Sequence, residues 1–558
     1  MKSRSDTVVL TALHRELLAR KQRREAEGKV EKPRAAHLRA AIGNEISKSA
    51  TVTNPISNPI GSPQCPTGRP SRPRRVATAP PLGFTPTDEQ MAAVQAFRTG
   101  SNLKINAFAG SGKTSTLALL AQHAEGPGLY VAFNRACVAD ASSRFGSNVQ
   151  CCTLHGLAFR ALRGRFRTSK MVGKLNPNVV LSHVEVQPFE SLGLKLSDNQ
   201  MASLSLATLR RFAHSRHASI RDVRLPKQGV LANMHPSIEG ELSAAVHDVV
   251  GAIWKRMCDP ESAMPLGHDG YLKYWALQRP SLGCDYILLD EAQDTNDVVL
   301  GLLEHQTCQI VYVGDRHQQI YEWRGAINAL NKVNTPQACL LTQSFRFGPR
   351  IAELANVVLR CLGERNAIVG NRTVVSEVRA AVSPDAVIAR SNGAVLQAVM
   401  ACLDGGGTPY VEGGTHELKR LIRGVYELRD HGFSTVPEFF GFSGWDEVVA
   451  YSETECGQEL ATFVRLVQAY GPGPLWHLIK RVAEHPEGAD VTISTTHKAK
   501  GREWAAVRLE DDFVVAKTDE EGRAQDLASE EMRILYVALT RAKKLLQIGG
   551  QTSRFLGV

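Results

Sequence analysis

Residues 105–116 read INAFAGSGKTST, and this stretch decides the fold. An apolar run opens it and predicts a strand, while Gly112, Lys113 and Thr114 predict the start of a helix. Such a turn aims backbone N–H groups and a helix N-terminus at one point, where a triphosphate can bind. The lysine of the motif reaches the β- and γ-phosphates, and the hydroxyl ligates Mg²⁺. The motif's first glycine is Ala107 here, so a plain tight turn remains an alternative. The candidate phosphate contacts are Gly110, Ser111, Gly112, Lys113, Thr114 and Ser115.

A second run, ILLDEAQD over residues 287–294, places two acidic residues directly after an apolar strand. The carboxyl ends of strands in α/β sheets are where ligands bind. Asp290 is therefore a candidate holder of Mg²⁺ through water, and Glu291 a candidate for polarising the water that attacks a γ-phosphate. The alternative is an acidic corner between a strand and a loop.

The net charge of +10 is placed unevenly along the 558 residues. Residues 1–80 contain 16 Lys and Arg against 6 Asp and Glu, so the rest of the chain is neutral. A polybasic arm commonly tethers nucleic acid through counterion release. A merely solubilising tail is the other interpretation. Residues 49–81 are rich in Pro, Ser, Thr and Asn, a composition that predicts disorder over an arm spanning 1–81.

Composition limits the class of protein. Hydrophobic residues make up 43% of the chain, but no apolar run approaches the ~20 residues that span a bilayer. The N-terminus is polar and basic, unlike a secretory signal. The 11 cysteines are scattered without a C-x-x-C pair, which favours a reduced chain without a zinc cluster. We therefore expect an intracellular protein, located in the cytoplasm or nucleoid of a bacterium or phage host, or in a eukaryotic nucleus.

Short apolar runs recur between helical segments and predict parallel strands covered on both faces. They are Leu103–Phe108, Leu129–Phe133, Tyr286–Leu289, Ile310–Val313, Ala338–Leu341, Val387–Ala389, Val491–Thr495 and Val507–Leu509. Two RecA-like α/β domains account for their number. The expected division is 82–335 and 336–558, with mainly helical insertions at about 157–283 and 393–486.

Together these motifs resemble those of superfamily 1A DNA helicases of the UvrD/Rep type. The segments AFAG at 107–110, YVAFN at 130–134 and HDGYLKYW at 268–275 resemble the helicase part of the F-box DNA helicases. The resemblance covers about residues 84–558, and no F-box is evident in residues 1–80. It implies two P-loop NTPase domains, ATP and Mg²⁺ as cofactors, and DNA as partner.

The resemblance also implies a set of nucleotide contacts. Gln90 would read the adenine edge, for which its amide offers a donor and an acceptor. Without the resemblance, an ordinary surface glutamine at the start of a helix would be the favoured interpretation. Phe345 would stack on adenine, Gln318 would sense the γ-phosphate, and Glu503 would bind the ribose. Arg346 and Arg541 would neutralise transition-state charge, as arginine fingers do.

The same resemblance implies contacts to single-stranded DNA. Trp323 could stack a base, or be a buried core tryptophan. Thr496, His497 and Lys500 have donors suited to phosphates or to polar relays between sites, and His497 could also be a satisfied core histidine. The full set is Phe133, Asn134, Arg135, Thr153, His155, Tyr321, Trp323, Thr496, His497 and Lys500.

These observations predict an ATP-dependent DNA helicase acting on single-stranded and tailed duplex DNA in repair, recombination or replication, with 3′→5′ polarity implied by resemblance. One alternative is a translocase that strips proteins from single-stranded DNA without processive unwinding, since the second insertion is small. Another is a catalytically dead scaffold, which the intact Lys113, Glu291 and Arg541 argue against.

Overall fold

The computed structural model describes residues 83–132, 135–191, 194–226, 231, 235–321, 327–380, 383–454, 457–514 and 528–558. These residues belong to one compact unit. The basic arm expected over residues 1–81 lies outside them.

Short strands run through the whole described chain. They are β1 (Leu103–Ala107), β2 (Gly128–Val131), β3 (Val149–Cys152), β4 (Phe189–Ser191), β5 (Leu194–Leu196), β6 (Tyr286–Leu289), β7 (Gln309–Gly314), β8 (Gln337–Leu341), β9 (Glu377–Val378), β10 (Ala386–Ala389), β11 (Pro409–Val411), β12 (Val491–Thr495), β13 (Trp504–Leu509) and β14 (Ala542–Gln547).

The helices of the first half are α1 (Asp88–Phe97), α2 (Lys113–Gln122), α3 (Arg135–Ser142), α4 (Leu154–Leu162), α5 (Thr168–Val172), α6 (Pro177–Leu181), α7 (Asp198–His214), α8 (Pro236–Cys258), α9 (Gly267–Ala276), α10 (Asp297–Leu303) and α11 (Ala329–Lys332). Those of the second half are α12 (Pro349–Cys361), α13 (Asn392–Asp404), α14 (His416–His431), α15 (Trp445–Ser452), α16 (Gln458–Tyr470), α17 (Pro472–Ile479), α18 (Thr496–Ala499), α19 (Ser529–Leu539) and α20 (Gly550–Leu556).

Twelve of these strands form two six-stranded parallel sheets, in the orders β3-β2-β6-β7-β1-β8 and β11-β12-β10-β13-β14-β9. Central strands such as β6 and β10 are buried along their whole length. Helices cover both faces of such sheets, so their strands are continuously apolar rather than alternating. The predicted α/β class with two RecA-like domains is confirmed, and each of the eight apolar runs overlaps a strand.

β3, β9 and β14 lie outside the eight predicted runs, and the sheets differ from the expectation in three further places. β8 pairs with β1, so the first sheet extends beyond the expected boundary at residue 335. A short antiparallel hairpin, β4–β5, interrupts the first insertion, which was expected to lack strands. β11 lies within the second insertion, yet it pairs with β12 at the edge of the second sheet. β4, β5 and β11 have three residues each, too few for a clear hydrophobic period.

The rest of the first insertion is helical, and α7, α8 and α9 pack around a common core. Phe212, Val246 and Val250 are among its fully buried side chains. The same hydrophobic cluster includes Leu129 and Ile287 of the first sheet. The insertion is therefore packed onto the sheet rather than tethered loosely to it.

Candidate active site

The phosphate loop lies between β1 and α2, at the carboxyl edge of the first sheet. Gly110 and Gly112 have φ angles of 74° and 77°, in the left-handed region that favours glycine. Gly112 is the N-cap of α2, so the N–H groups of the first helical turn point out of the helix end. A β-carbon at Gly110 would lie 2.6 Å from Ser344 Oγ and 2.7 Å from Arg346 Cβ. The loop is thus in close contact with the segment that follows β8.

The acidic strand end lies beside this loop because β6 and β1 both flank β7 in the sheet. Thr114 Oγ1 donates a hydrogen bond of 3.0 Å to Asp290 Oδ2. Tyr130, on β2, donates to the same oxygen at 2.8 Å. Lys113 Nζ lies 3.6 Å from Glu291 Oε1. The residues that the two motifs nominated separately therefore converge on one point.

The two neighbouring carboxylates have pKa values that move in opposite directions. Burial and the adjacent Glu291 raise the pKa of Asp290. Burial also opposes ionisation of Glu291, but Lys113 and Lys500 outweigh it and lower the Glu291 pKa to about 2. Glu291 is held by a 2.5 Å hydrogen bond from Gln293 and has a left-handed φ of 52°. Glu291 is consequently a fixed, charged acceptor at neutral pH.

The donor set at Thr114 and Asp290 suits a magnesium ion. Mg²⁺ prefers oxygen ligands, and a hydroxyl and a carboxylate oxygen lie within 3.0 Å of each other here. Asp294 contributes a further carboxylate nearby, whose Oδ1 is buried without a hydrogen-bond partner in the described part of the chain. The residues present therefore fit the expected metal.

On the other side of the loop, Gln90 and Phe345 flank Gly112. Gln90 is buried, accepts from Thr87 N in a capping box, and donates to Thr116 Oγ1 at 3.0 Å. A β-carbon at Gly112 would lie 3.5 Å from Gln90 Nε2 and 3.6 Å from the Phe345 ring. Phe345 is 46% exposed, so its ring face is open to a ligand. An amide and an open aromatic face are therefore together, as adenine recognition requires.

The segment after β8 also carries Arg346. Its Nε donates to Glu503 Oε2 at 2.6 Å, and its Nη1 donates to Thr540 O at 3.1 Å. Glu503 also pairs with Lys543 at 2.8 Å. Burial opposes ionisation of Glu503, but Lys543 and Arg346 outweigh burial and lower the Glu503 pKa. The expected ribose ligand is thus paired with an expected phosphate ligand.

Arg541 and Gln318 meet from opposite sheets. Arg541 follows α19 and is 1% exposed, with Nε donating to Val537 O at 2.9 Å. Its Nη2 lies 3.5 Å from Gln318 Oε1, and Gln318 Nε2 donates to Asp315 Oδ2 at 2.8 Å. Burial and the nearby Arg346 lower the Arg541 pKa to about 9, which leaves the guanidinium charged at neutral pH.

The sequence did not single out Tyr536, which contributes a further link. Its hydroxyl accepts from Ala109 N of the phosphate loop at 3.2 Å and donates to Asp315 Oδ2 at 3.0 Å. The side chain is fully buried. The only sequence signal was its place five residues before Arg541, on the helix that leads to that arginine.

The expected DNA residues of the second sheet lie close to this centre. Lys500 Nζ donates to Asp294 Oδ2 at 2.5 Å and sits 5.1 Å from the centre of the Tyr321 ring. Tyr321 donates to His497 O at 2.7 Å, while the His497 ring bonds Ile320 O. Thr496 is buried. In this arrangement Lys500 and Thr496 face protein groups, which matches the relay interpretation of the segment.

Two expected DNA residues of the first domain, Thr153 and His155, lie at the start of α4. Thr153 is the N-cap of α4 and accepts from Gly156 N at 3.0 Å. His155 Nε2 lies 3.6 Å from Asp269 Oδ1, and His214 pairs with the other oxygen of Asp269 at 3.2 Å. Arg135 begins α3. Phe133, Asn134 and Trp323 lie outside the described residues.

Comparison with known proteins gives matches to helicases. Residues 272–335 match the model of the UvrD/REP helicase N-terminal domain, and residues 452–552 match that of the UvrD-like helicase C-terminal domain. The chain is 30% identical to F-box DNA helicase 1 of Gallus gallus and 32% identical to F-box DNA helicase protein 1 of Schizosaccharomyces pombe, over 82% of its length in both cases. It is 24% identical over 84% of its length to the ATP-dependent DNA helicase UvrD2 of Mycobacterium bovis.

The matches cover the relatives unequally. The chain spans about half of each F-box helicase, 48% and 57% of their lengths, and 79% of the mycobacterial protein. In the described part of the chain, no helix is long and apolar enough to cross a membrane.

Proposed function

This chain belongs to the UvrD/Rep-like helicase family, and on that basis we propose that it couples ATP hydrolysis to movement along single-stranded DNA. The observation that carries the proposal is the convergence of Lys113, Thr114, Asp290 and Glu291 with Gln318 and the buried Arg541 from the second sheet. A charged group supplied by one domain to a phosphate bound on the other is the arrangement of an arginine finger. Hydrolysis in such a cleft changes the contact between the domains.

Each residue has a role that follows from its position. Lys113 and the N-terminus of α2 would bind the phosphates of ATP, and Gln90 and Phe345 would contact its adenine base. Mg²⁺, held by Thr114 and Asp290, would neutralise phosphate charge. Glu291 is ionised and would orient the attacking water by accepting its proton in a hydrogen bond. Arg346 and Arg541 would stabilise charge that develops on the γ-phosphate.

The route from ATP to DNA would pass through Gln318 and Lys500. Gln318 is within reach of Arg541, and its carbonyl accepts from Lys500. Lys500 also contacts Tyr321, which bonds His497 O. The effect of losing the γ-phosphate would therefore be transmitted through direct contacts to the side chains expected near the DNA. We further propose 3′→5′ polarity, unwinding of tailed duplexes and an intracellular role in repair, recombination or replication. The proposed insertions span about 157–283 and, apart from the sheet strand β11, about 393–486.

The test compares strand displacement on 3′-tailed and 5′-tailed duplexes for wild-type protein and Lys113→Ala. Loss of one phosphate-binding charge is expected to lower kcat for ATP about 100-fold or more and to abolish unwinding. Lys544→Ala, which changes an exposed lysine on β14, serves as the control for loss of one positive charge.

Three outcomes separate the alternatives. Unwinding of the 3′-tailed duplex alone supports the proposal. ATPase activity stimulated by single-stranded DNA, with protein displacement but no unwinding of either duplex, identifies the non-unwinding translocase. Equal ATPase rates for wild type and Lys113→Ala would contradict the assigned site.

A further inference from the structure

A strongly basic surface follows the candidate DNA residues Thr153 and His155. Between Thr153 and Leu175 the sequence contains six Lys and Arg and no Asp or Glu. Five of them are exposed, and in the described part of the chain none of the five forms an ion pair with a carboxylate. We name these five the basic surface: Arg160, Arg163, Arg165, Arg167 and Lys174.

The sixth cation, Lys170, has a different role. Its side chain is buried, and its Nζ donates to Ser262 O at 2.9 Å and to Met264 O at 2.5 Å. It also donates to Arg256 O, at the end of α8, at 3.2 Å. Lys170 thus connects α5 to the end of α8, and these hydrogen bonds fix the position of the segment that carries the basic surface.

Beside the basic surface lies a cavity of about 360 Å³ with aromatic walls. Trp254 and Tyr274 are only partly buried there. The Arg165 guanidinium lies 5.2 Å from the centre of the Tyr274 ring, so one basic residue is shared by the surface and the cavity. We name this cavity the aromatic cavity; it is lined by Arg165, Trp254, Cys258, Tyr274, Leu277 and Gln278.

Two packed helices connect this cavity to the candidate DNA residues. His155, near the start of α4, has its ring 6.0 Å from that of Tyr271 on α9. Tyr274 is one turn further along α9, and its ring lies 5.2 Å from that of Phe166 beyond the end of α4. The nine residues of α4 span about 13 Å. The surface is therefore a continuation of the candidate DNA path rather than a separate patch.

Exposed arginines next to partly exposed aromatic rings match the chemistry of single-stranded nucleic acid. Cations track the phosphates, while aromatic faces stack unpaired bases irrespective of sequence. Duplex DNA presents only base edges, so its bases would leave the aromatic cavity unused. We propose that the basic surface and the aromatic cavity bind single-stranded DNA beyond Thr153 and His155, with phosphates on the arginines and a base on Tyr274. This inference rests on the proposed function.

The salt dependence of DNA binding tests the basic surface. The variant Arg163→Ala with Arg167→Ala is compared with Arg210→Ala with Arg224→Ala, which removes two exposed arginines of the same insertion outside the surface. On a long oligothymidylate, the first pair is expected to reduce the slope of log K against log salt by about 1.4, the value for two lost phosphate contacts. The second pair should leave the slope at its wild-type value.

Two substitutions at Tyr274 test the aromatic cavity. Tyr274→Leu should weaken binding of the long oligothymidylate about 5-fold or more, because a stacked base is lost. Tyr274→Phe keeps the ring and should bind as wild type, which separates stacking from a general loss of packing. A Leu variant that melts at the wild-type temperature yet binds normally would contradict the stacked base.

The ATPase rate distinguishes this inference from the proposed function. Wild-type ATPase must rise with a short oligothymidylate that reaches only the cleft, and all four variants should show the same rise. Failure of the wild type to respond would count against the proposed function itself. If the wild type responds but Arg163→Ala with Arg167→Ala leaves the salt slope unchanged, only the proposal for the basic surface is overturned. If this double variant weakens the binding of blunt duplex DNA alone, the surface is a duplex site instead.

Discussion

One hydroxyl group at Tyr536 connects the phosphate loop to the segment after β7. It accepts from Ala109 N and donates to Asp315 Oδ2, the same oxygen to which Gln318 donates. The tyrosine lies on the helix that leads to Arg541. Tyr536 is therefore placed to position the helix and the loop relative to each other without touching substrate.

Tyr536→Phe keeps the ring but leaves the Ala109 N–H without its acceptor. A buried N–H without a partner costs about 1–3 kcal/mol. We expect kcat for ATP to fall roughly tenfold, with little change in KM, because the cost falls on alignment rather than on nucleotide contacts.

A steady-state ATPase titration with saturating single-stranded DNA measures both constants. Tyr312→Phe, which removes a buried hydroxyl from β7 outside the cleft, is the control and should leave kcat unchanged. Equal loss of kcat in both variants would point to general destabilisation instead of positioning.

Local sequence could nominate the nucleotide-binding residues, but it could not supply their partners. Lys113 and Asp290 stand in short motifs whose chemistry is readable from neighbouring residues. Tyr536 stands in an apolar helix where a tyrosine predicts only core packing. Its partners, Ala109 and Asp315, are more than 200 residues away and are reached only through the packing of two sheets.

Among the elements, the short helix α18 links the second sheet to the acidic end of β6. It is followed by Lys500, which pairs with Asp294. Burial raises the Asp294 pKa to about 6, above its ordinary value, so this carboxyl is ionised above pH 6 and neutral below it. The ion pair is thus present at neutral pH and is lost in mildly acidic buffer.

We therefore expect DNA-stimulated ATPase activity to decline as the pH falls through about 6. Asp294→Asn keeps the shape of the side chain but lacks its charge. The activity of this variant should therefore be reduced at pH 7.5, and its pH profile should not show the decline near pH 6. The pH profiles of the two proteins, measured in a constant-ionic-strength buffer, provide the comparison. Parallel profiles would assign the acidic limb to another group, such as a histidine.

The elements themselves were predictable where the hydrophobic pattern was strong. Central strands such as β6 are wholly apolar and were found. β3 was missed because it reads VQCC, a short edge strand with only one neighbour and a polar exposed residue. Edge strands need less apolar surface, and their sequences therefore resemble loops.

For the molecule as a whole, the positive charge lies almost entirely in one terminal segment. Residues 1–80 carry the full excess of +10, while residues 81–558 are neutral overall. A neutral body binds DNA only through local groups, whereas a basic arm adds long-range attraction.

Deletion of residues 1–80 should consequently weaken binding to single-stranded DNA and flatten its salt dependence, because counterion release by the arm is lost. Fluorescence anisotropy over a series of salt concentrations measures both effects. A full-length protein with the arm's Lys and Arg changed to Gln should behave like the deletion. Identical curves for the full chain and the deletion would show that the arm is only solubilising.

The left-handed backbone of Glu291 has a consequence for the stability of the whole protein. A residue with a side chain costs roughly 1–2 kcal/mol in that conformation. The fold tolerates this backbone cost because the carboxylate must face the phosphate loop. The free energy of unfolding is therefore lower than it would be without this backbone strain. Substitutions that relieve the strain at residue 291 would raise the stability of the protein and lose its catalytic activity.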